Sequence, residues 1–557
     1  MIDSFATPTS PVSYASANSP ISNPPKNPPP SFKEESKQNL NLCFWGAIAG
    51  MGMFCEAYFI LGFGNIKAIW ETDPEFESCF EKNYSGTDVC NQGLAHSLSY
   101  ATYGAMMFGM VSFGYLSDKL GRKWGATTDV CILLMGAAIA TGASGATTNG
   151  LLTMFLVGLV TVGYAVGAEF PLAATQAAER SEAAHESQPH VRGKNIAFTF
   201  AMQGIGNLTS DLVLIALLAG FGCTQRDAND FSDHCDTNDL NVIWRTLFGV
   251  GLVPSLGLVI GRCIFQKESS TWTKDKEVKI HHVVTRPGET LEAFEEKETQ
   301  VKHGLLLKHY WSRLVGTAIG WLIWDFAYYG TKGYNSTIIQ GVVSNDPTLT
   351  PSLWLTMQYT LYGQLVQCVG YYLAAFVVDK PWMGRRNLQG LGYFAIMICQ
   401  FISYAGDLSL NSALALYFIS GFFQQFGPNV TTWMLPAELF PTEVRSFAHG
   451  ISSATGKFGA ILSGVIFAYG NGGQAVTAKT ISLLSGILGV VGIFITFFFI
   501  PNITRLDLTE QDRRWKFILA GREDEYSGEA INPEYLSWYE RVVMNIHKNH
   551  KSFGCYM

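Results

Sequence analysis

The stretch Gly114-Tyr115-Leu116-Ser117-Asp118-Lys119-Leu120-Gly121-Arg122-Lys123 decides the fold of this 557-residue chain. It is a short charged turn between two apolar runs, 97–117 and 124–145. Each run is close to the ~20 residues that a helix needs to cross a ~30 Å hydrocarbon layer. Working outward, ten further runs of this kind follow the same rule: 40–62, 150–176, 195–221, 242–266, 310–341, 352–378, 388–406, 411–434, 447–470 and 478–500. A polar segment, 267–308, divides the twelve into six and six. A second charged turn, Asp379-Lys380-Pro381-Trp382-Met383-Gly384-Arg385-Arg386, occupies the equivalent place in the second half. The expected fold is an all-α membrane protein of two six-helix bundles, 40–266 and 309–500.

Composition agrees with that reading. Only 15% of residues are charged and 48% are hydrophobic, well short of the charge of an average soluble protein. A net charge of -7 offers no basic field for nucleic acid. Residues 1–39, with runs such as Pro28-Pro29-Pro30, cannot bury enough apolar surface to fold alone and read as a disordered tail. They lack the basic start, apolar run and small-residue cleavage site of a secretory signal. No Walker loop, metal-ligand spacing or catalytic triad stands out, so neither an enzyme nor a cofactor or metal site is expected.

Orientation follows from the basic residues, which cytoplasmic loops retain. With both termini inside, the outer loops and adjoining helix ends keep only Lys67, Lys82, Arg226, Arg245, Lys332 and Lys479 of the 38 Lys and Arg. The expected location is the plasma membrane, with the central loop 267–308 and the tail 501–557 cytoplasmic. Four of the eleven cysteines, Cys79, Cys90, Cys223 and Cys235, then fall outside, where disulfides within each loop or between loops can form. Asn83-Tyr84-Ser85 is a glycosylation sequon on the same side. Within the tail, Leu508 to Glu525 reads as a charged amphipathic helix.

The first turn resembles the G-x-L-x-D-x-x-G-R-K loop of the major facilitator superfamily. More specifically, Gln424-Gln425-Phe426-Gly427-Pro428-Asn429-Val430-Thr431-Thr432, continuing through Pro436-Ala437-Glu438-Leu439-Phe440-Pro441-Thr442 to Arg445-Ser446-Phe447-Ala448-His449-Gly450 and Gly456-Lys457, is similar to the phosphate:proton symporters of fungi and plants. Gly167-Ala168-Glu169-Phe170-Pro171-Leu172 is similar to that family's G-G-D-Y-P-L, with two departures. Glu169 replaces an Asp. Phe170 replaces a Tyr whose hydroxyl is expected to touch phosphate, and Glu in this context also resembles glycerophosphodiester transporters.

An ionisable side chain inside a span is costly and therefore a functional candidate. Glu56, Asp129, Glu169, Asp211, Asp325 and Lys457 qualify. Trp321, Asp325 and Tyr328 or Tyr329 are spaced to share one helix face. The resemblance implies that Phe170, Gln203, Trp321, Asp325, Tyr329, Asn429 and Lys457 surround a phosphate or phosphate ester. It also implies that Glu56, Asp129, Glu169 and Asp325 handle protons. Asp118 with Arg122, Glu438 and Arg445 would latch the inner ends of the helices. Asp211 has no matching counterpart and reads as structural. The implied activity is proton-coupled import of inorganic phosphate by alternating access; the alternatives are a carrier of organic phosphates and a phosphate receptor with little transport.

Overall fold

The computed structural model describes residues 50–80, 90–184, 192–224, 235–265, 291–333, 352–406, 408–469 and 478–548. The expected N-terminal tail and the sequon Asn83 lie outside these residues, as do the side chains of Asp118 and Arg122. Within them the chain is helical. The first bundle contains α1 (Met51–Trp70), α2 (Gln92–Leu120), α3 (Arg122–Thr141), α4 (Thr148–Ala184), α5 (Arg192–Gly220) and α6 (Thr237–Phe265). The second contains α7 (Trp311–Gly333), α8 (Leu353–Val377), α9 (Gly384–Ala405), α10, α11 (Arg445–Tyr469) and α12 (Ala478–Phe499). Helix α10 runs as Leu410–Gln424, a π turn Gln425–Asn429, and Val430–Leu439.

The two charged turns fold alike because each needs a backbone that only glycine adopts freely. Gly121, between α2 and α3, has φ 85°, and Gly384, at the start of α9, has φ 67°. Side chains cap other helix starts: Asn91 accepts from the Leu94 amide at α2, and Ser352 from the Leu355 amide at α8.

Six helices, α3, α4, α5, α6, α9 and α12, are long and apolar enough to cross a membrane by composition alone. The two bundles meet along α2 against α11 and α5 against α8. At the first of these contacts a Cβ added at Gly114 would sit 2.9 Å from the Ser446 carbonyl oxygen, so a side chain there would push the helices apart.

Two segments that read as a loop and a tail prove structured. Leu291–His309 of the central segment is a helix whose Leu306 packs with Tyr310, Leu435 and Trp515. Beyond residue 500 the chain folds back onto the second bundle. Helix α13 (Leu508–Leu519) ends earlier than the charge pattern implies, because Gly521 turns the chain at φ 68°. The segment beyond residue 500 is held by buried polar contacts: Gln511 donates to the Glu438 carbonyl at 2.9 Å, and Arg313 Nε donates to Glu540 at 2.6 Å.

Candidate functional site

A cavity of about 190 Å³ lies between the bundles. Its walls come from α1, α2, α4 and α5 on one side and α7, α8, α10 and α11 on the other, pairs of helices six apart in the chain. Helices α3, α6, α9 and α12 contribute nothing to it among the described residues. The cavity reaches from Glu56 and Trp321 to Lys67 and Glu71. At ~1.5 Å per residue, Glu56 to Glu71 spans roughly 22 Å along α1. Disulfide-bonded Cys79 follows directly, so the cavity opens toward the disulfide-bearing face.

Lys457 sits at the deep end and is the buried cation of the site. Its Nζ donates to Asp325 Oδ2 at 2.9 Å and to the Tyr329 hydroxyl at 2.8 Å. It also lies 4.4 Å from the Tyr329 ring centroid and 5.2 Å from that of Phe170. Burying this pair costs desolvation that only good geometry offsets, and removing one partner leaves the other charge stranded. Trp321 and Asp325 lie one turn apart, and the Trp321 side chain hydrogen-bonds the Asp325 carboxylate.

Asn429 is positioned by the π turn. Pro428 has no N–H to give and would clash with the preceding turn of a regular helix; the wider turn removes that conflict, and Thr431 Oγ1 donates to the Gly427 carbonyl at 3.0 Å. The Asn429 side chain is thereby held in a polar network. Its Nδ2 donates to Tyr371 Oη at 2.6 Å and to Gln425 Oε1 at 2.5 Å, while Trp324 Nε1 donates to its Oδ1 at 3.2 Å. Tyr371 donates in turn to Gln203 Oε1 at 2.9 Å, joining the two bundles.

All seven expected substrate residues, Phe170, Gln203, Trp321, Asp325, Tyr329, Asn429 and Lys457, line this one cavity. Glu56 lines it too. Glu56 also borders a second, much smaller space of about 10 Å³ shared with Asp129, Glu169 and Arg262. There Arg262 Nη2 donates to Glu169 Oε1 at 2.5 Å, Arg262 Nη1 donates to the Ala126 carbonyl at 2.6 Å, and Asp129 lies 3.7 Å from the guanidinium. Glu56 Oε2 is buried without a hydrogen-bond partner among the described residues. Glu56 thus stands between the two cation–carboxylate groups.

At the opposite end from the cavity mouth, ion pairs join the halves. Glu438 accepts from Arg192 Nε of α5 at 2.8 Å and from Arg385 Nε of α9 at 2.8 Å. Arg385 also pairs with Asp379 at 2.7 Å, and Asp379 accepts from the amides of Gly193 and Lys194, the first turn of α5. Arg192 reaches the Leu506 carbonyl at 3.0 Å, so the C-terminal segment joins this closure. Arg445 donates to the Phe440 carbonyl at 3.3 Å, within its own half.

Sequence reasoning missed Tyr371, Trp324, Arg262, Arg192 and Arg385. Arg262 was findable, since the rule that flags an acid inside a span applies equally to a base. Arg192 and Arg385 lie at helix starts on the side expected to face the cytoplasm, where basic residues are ordinary. Asp211 accepts from Asn65 Nδ2 at 3.0 Å, an interhelical bond between α1 and α5. Both disulfides close within their own loops, Cys79–Cys90 and Cys223–Cys235.

The "Repressible high-affinity phosphate permease" of Neurospora crassa is 28% identical over 474 residues, covering 77% of this chain and 80% of that one. The "Glycerophosphoinositol permease 1" of Candida albicans is 27% identical over 427 residues, covering 76% and 74%. Among solved structures, the major facilitator superfamily proton:xylose symporter XylE from E. coli, bound to 6-bromo-6-deoxy-D-glucose, superimposes with a TM-score of 0.62 at 17% identity, over 86% of this chain and 99% of that one. The chain therefore shares the major facilitator fold. The model described as "Sugar (and other) transporter" matches residues 49–515, from the first helix into α13, and the chain belongs to that family.

Proposed function

We propose that this protein imports inorganic phosphate together with protons by alternating access. The observation that carries the reading is the Lys457–Asp325 pair at the deep end of a cavity lined by hydrogen-bonding groups from both halves. A lone buried cation would bind an anion without regard to protons; a cation already paired with a carboxylate does not. While Asp325 is ionised it holds Lys457 and repels phosphate. Once protonated, it releases Lys457 to the anion and can itself donate to a phosphate oxygen. Proton and phosphate therefore each favour the binding of the other. Tyr329, freed as an acceptor for Lys457, also donates to the anion, while Gln203 and Asn429 orient it from the opposite wall.

Glu56, between Asp325 and the Arg262–Glu169–Asp129 group, supplies the proton route in this reading. The Glu438 ion pairs hold the inner end shut while the cavity faces the disulfide side. Alternating access requires those pairs to break as the outer contacts form. The protein resides in the plasma membrane with both termini in the cytoplasm, the disulfides outside and a glycan at Asn83.

The name of the Neurospora relative supports the substrate, and a cavity of about 190 Å³ suits a small anion. A second reading, transport of a glycerophosphodiester, is favoured by Glu169, Phe170 and the Candida relative. Uptake of labelled phosphate into proteoliposomes under an inward proton gradient, competed with glycerophosphocholine, separates them. Phosphate uptake that rises with the gradient and resists competition is expected. Failure of phosphate either to enter or to compete would overturn the reading.

A further inference from the structure

Phe170 brings a ring but no hydroxyl to the cavity wall nearest Lys457, 5.2 Å from the ammonium. An ammonium has three N–H donors, and Lys457 directs two of them to Asp325 and Tyr329. A tetrahedral anion entering here meets donors on the second-bundle side: Lys457 and Tyr329. On the first-bundle side, Gln203 Oε1 already accepts from Tyr371 and Asn429, which leaves its Nε2 as a donor, and Glu56 is an acid. A second neutral donor from that side has to come from another helix.

Tyr103 of α2 meets the requirement. It lines the cavity, half-buried, with Ser99 one turn away on the same helix face. Its ring packs edge-on against Tyr329 with centroids 5.0 Å apart, and Lys457 and Asp325 lie within electrostatic reach of its hydroxyl. Among the described residues the Tyr103 hydroxyl has no hydrogen-bond partner, unlike those of Tyr329 and Tyr371. A hydroxyl that lines the cavity near a cation, uncommitted to protein among the described residues, is available to a bound anion.

We propose that Tyr103 donates a hydrogen bond to the phosphate oxygen facing the first bundle, replacing the hydroxyl that Phe170 lacks, and thereby selects unesterified phosphate over phosphate esters. This rests on the phosphate reading above and names the residue that sets its specificity. Four equivalent oxygens let inorganic phosphate present an acceptor to every wall. An esterified oxygen accepts more weakly and carries a substituent that collides with the Tyr103–Tyr329 pair.

The test measures the KM for phosphate and the inhibition constant of glycerol 3-phosphate for the reconstituted protein, Tyr103→Phe, and Tyr103→Phe with Phe170→Tyr. Tyr103→Phe should raise the phosphate KM about tenfold with maximal rate within about twofold, and leave glycerol 3-phosphate inhibition nearly unchanged, the loss of one charge-assisted hydrogen bond. The double variant should recover most of the phosphate affinity, since it returns a hydroxyl to the cavity wall near Lys457. If Tyr103→Phe changes the ratio of the two constants less than twofold, or the double variant recovers nothing, the assignment fails while the phosphate reading stands. If the unaltered protein moves no phosphate at all, the phosphate reading fails and this assignment falls with it.

Discussion

Each half of the protein buries a cation against carboxylates, and the two sites differ in what can reach them. In the second bundle, Lys457 and Asp325 face a cavity of about 190 Å³. In the first, Arg262, Glu169 and Asp129 enclose about 10 Å³. Similar ionic chemistry is thereby given two tasks. A pair open to a cavity can exchange its partner for an incoming anion. A group beside about 10 Å³ has room for one water at most and none for a phosphate, so a proton is what can change its charge. The cations match the tasks: Lys is a compact point charge on a flexible stem, whereas the Arg fork holds several acceptors at once. Both disulfides also lie in the first half, between α1 and α2 and between α5 and α6, and the second half has no such restraint among the described residues.

The strongest way to break this contrast is at the open pair. Lys457→Gln strands Asp325 and removes the anion's cation; phosphate uptake into proteoliposomes should fall at least about a hundredfold, given the ~3–5 kcal/mol such losses cost. Asp325→Asn should leave uptake that no longer responds to a proton gradient, and proton-driven accumulation by that variant would sink the coupling scheme. At the enclosed group, Arg262→Met should destabilise the fold by about 3–5 kcal/mol, read as a lower melting temperature in detergent, while equilibrium phosphate binding changes less than about threefold. Lost binding with an intact melting temperature would show that the two sites are not separate.

Reduction of the two disulfides opens loops of 11 and 12 residues' separation and should cost about 3 kcal/mol each, with phosphate affinity preserved. Glu438→Gln weakens the closure between halves. Labelling from the inner side of a cysteine placed at Ser446 should rise about tenfold, a shift of ~1.4 kcal/mol. The smallest effect concerns the C-terminal segment. Burial alone would raise the Glu523 carboxyl, but hydrogen bonds from His309 and Arg514 pull it down to about 2. A depressed carboxyl contributes stability that is fully present above its unfolded value and lost as pH falls through the folded one. Proteolysis of the segment beyond α12 should therefore accelerate between about pH 4.5 and pH 2, and more weakly in Glu523→Gln.

Some of this site can be read along the chain and some cannot. Trp321, Asp325 and Tyr329 follow from spacing on a single helix, and the charge rule for spans picks out Lys457 and four acids of the first half, of which Asp211 is structural. The pairing of Lys457 with Asp325 joins residues 132 apart, and that of Arg192 with Glu438 joins residues 246 apart. Nothing local announces either contact. Tyr103, Tyr371 and Trp324 look like any aromatic residue of a membrane helix until packing turns Tyr103 and Trp324 toward the cavity and Tyr371 onto Asn429 and Gln203. The helix in the central segment was hidden for a related reason: its sequence is balanced in charge, and its apolar residues, Leu306 among them, gain a face to cover only once α10 and α13 are in place.

The opening turn shows where the division falls. Apolar length, glycine at the turn and charge at its edges determine that this chain crosses a membrane repeatedly in two similar halves, because the bilayer tests each segment on its own. Which buried charges share a cavity, which are sealed from it, and which end of the molecule stands open are settled only by how the helices pack. Those outcomes depend on distances between residues that the chain keeps far apart.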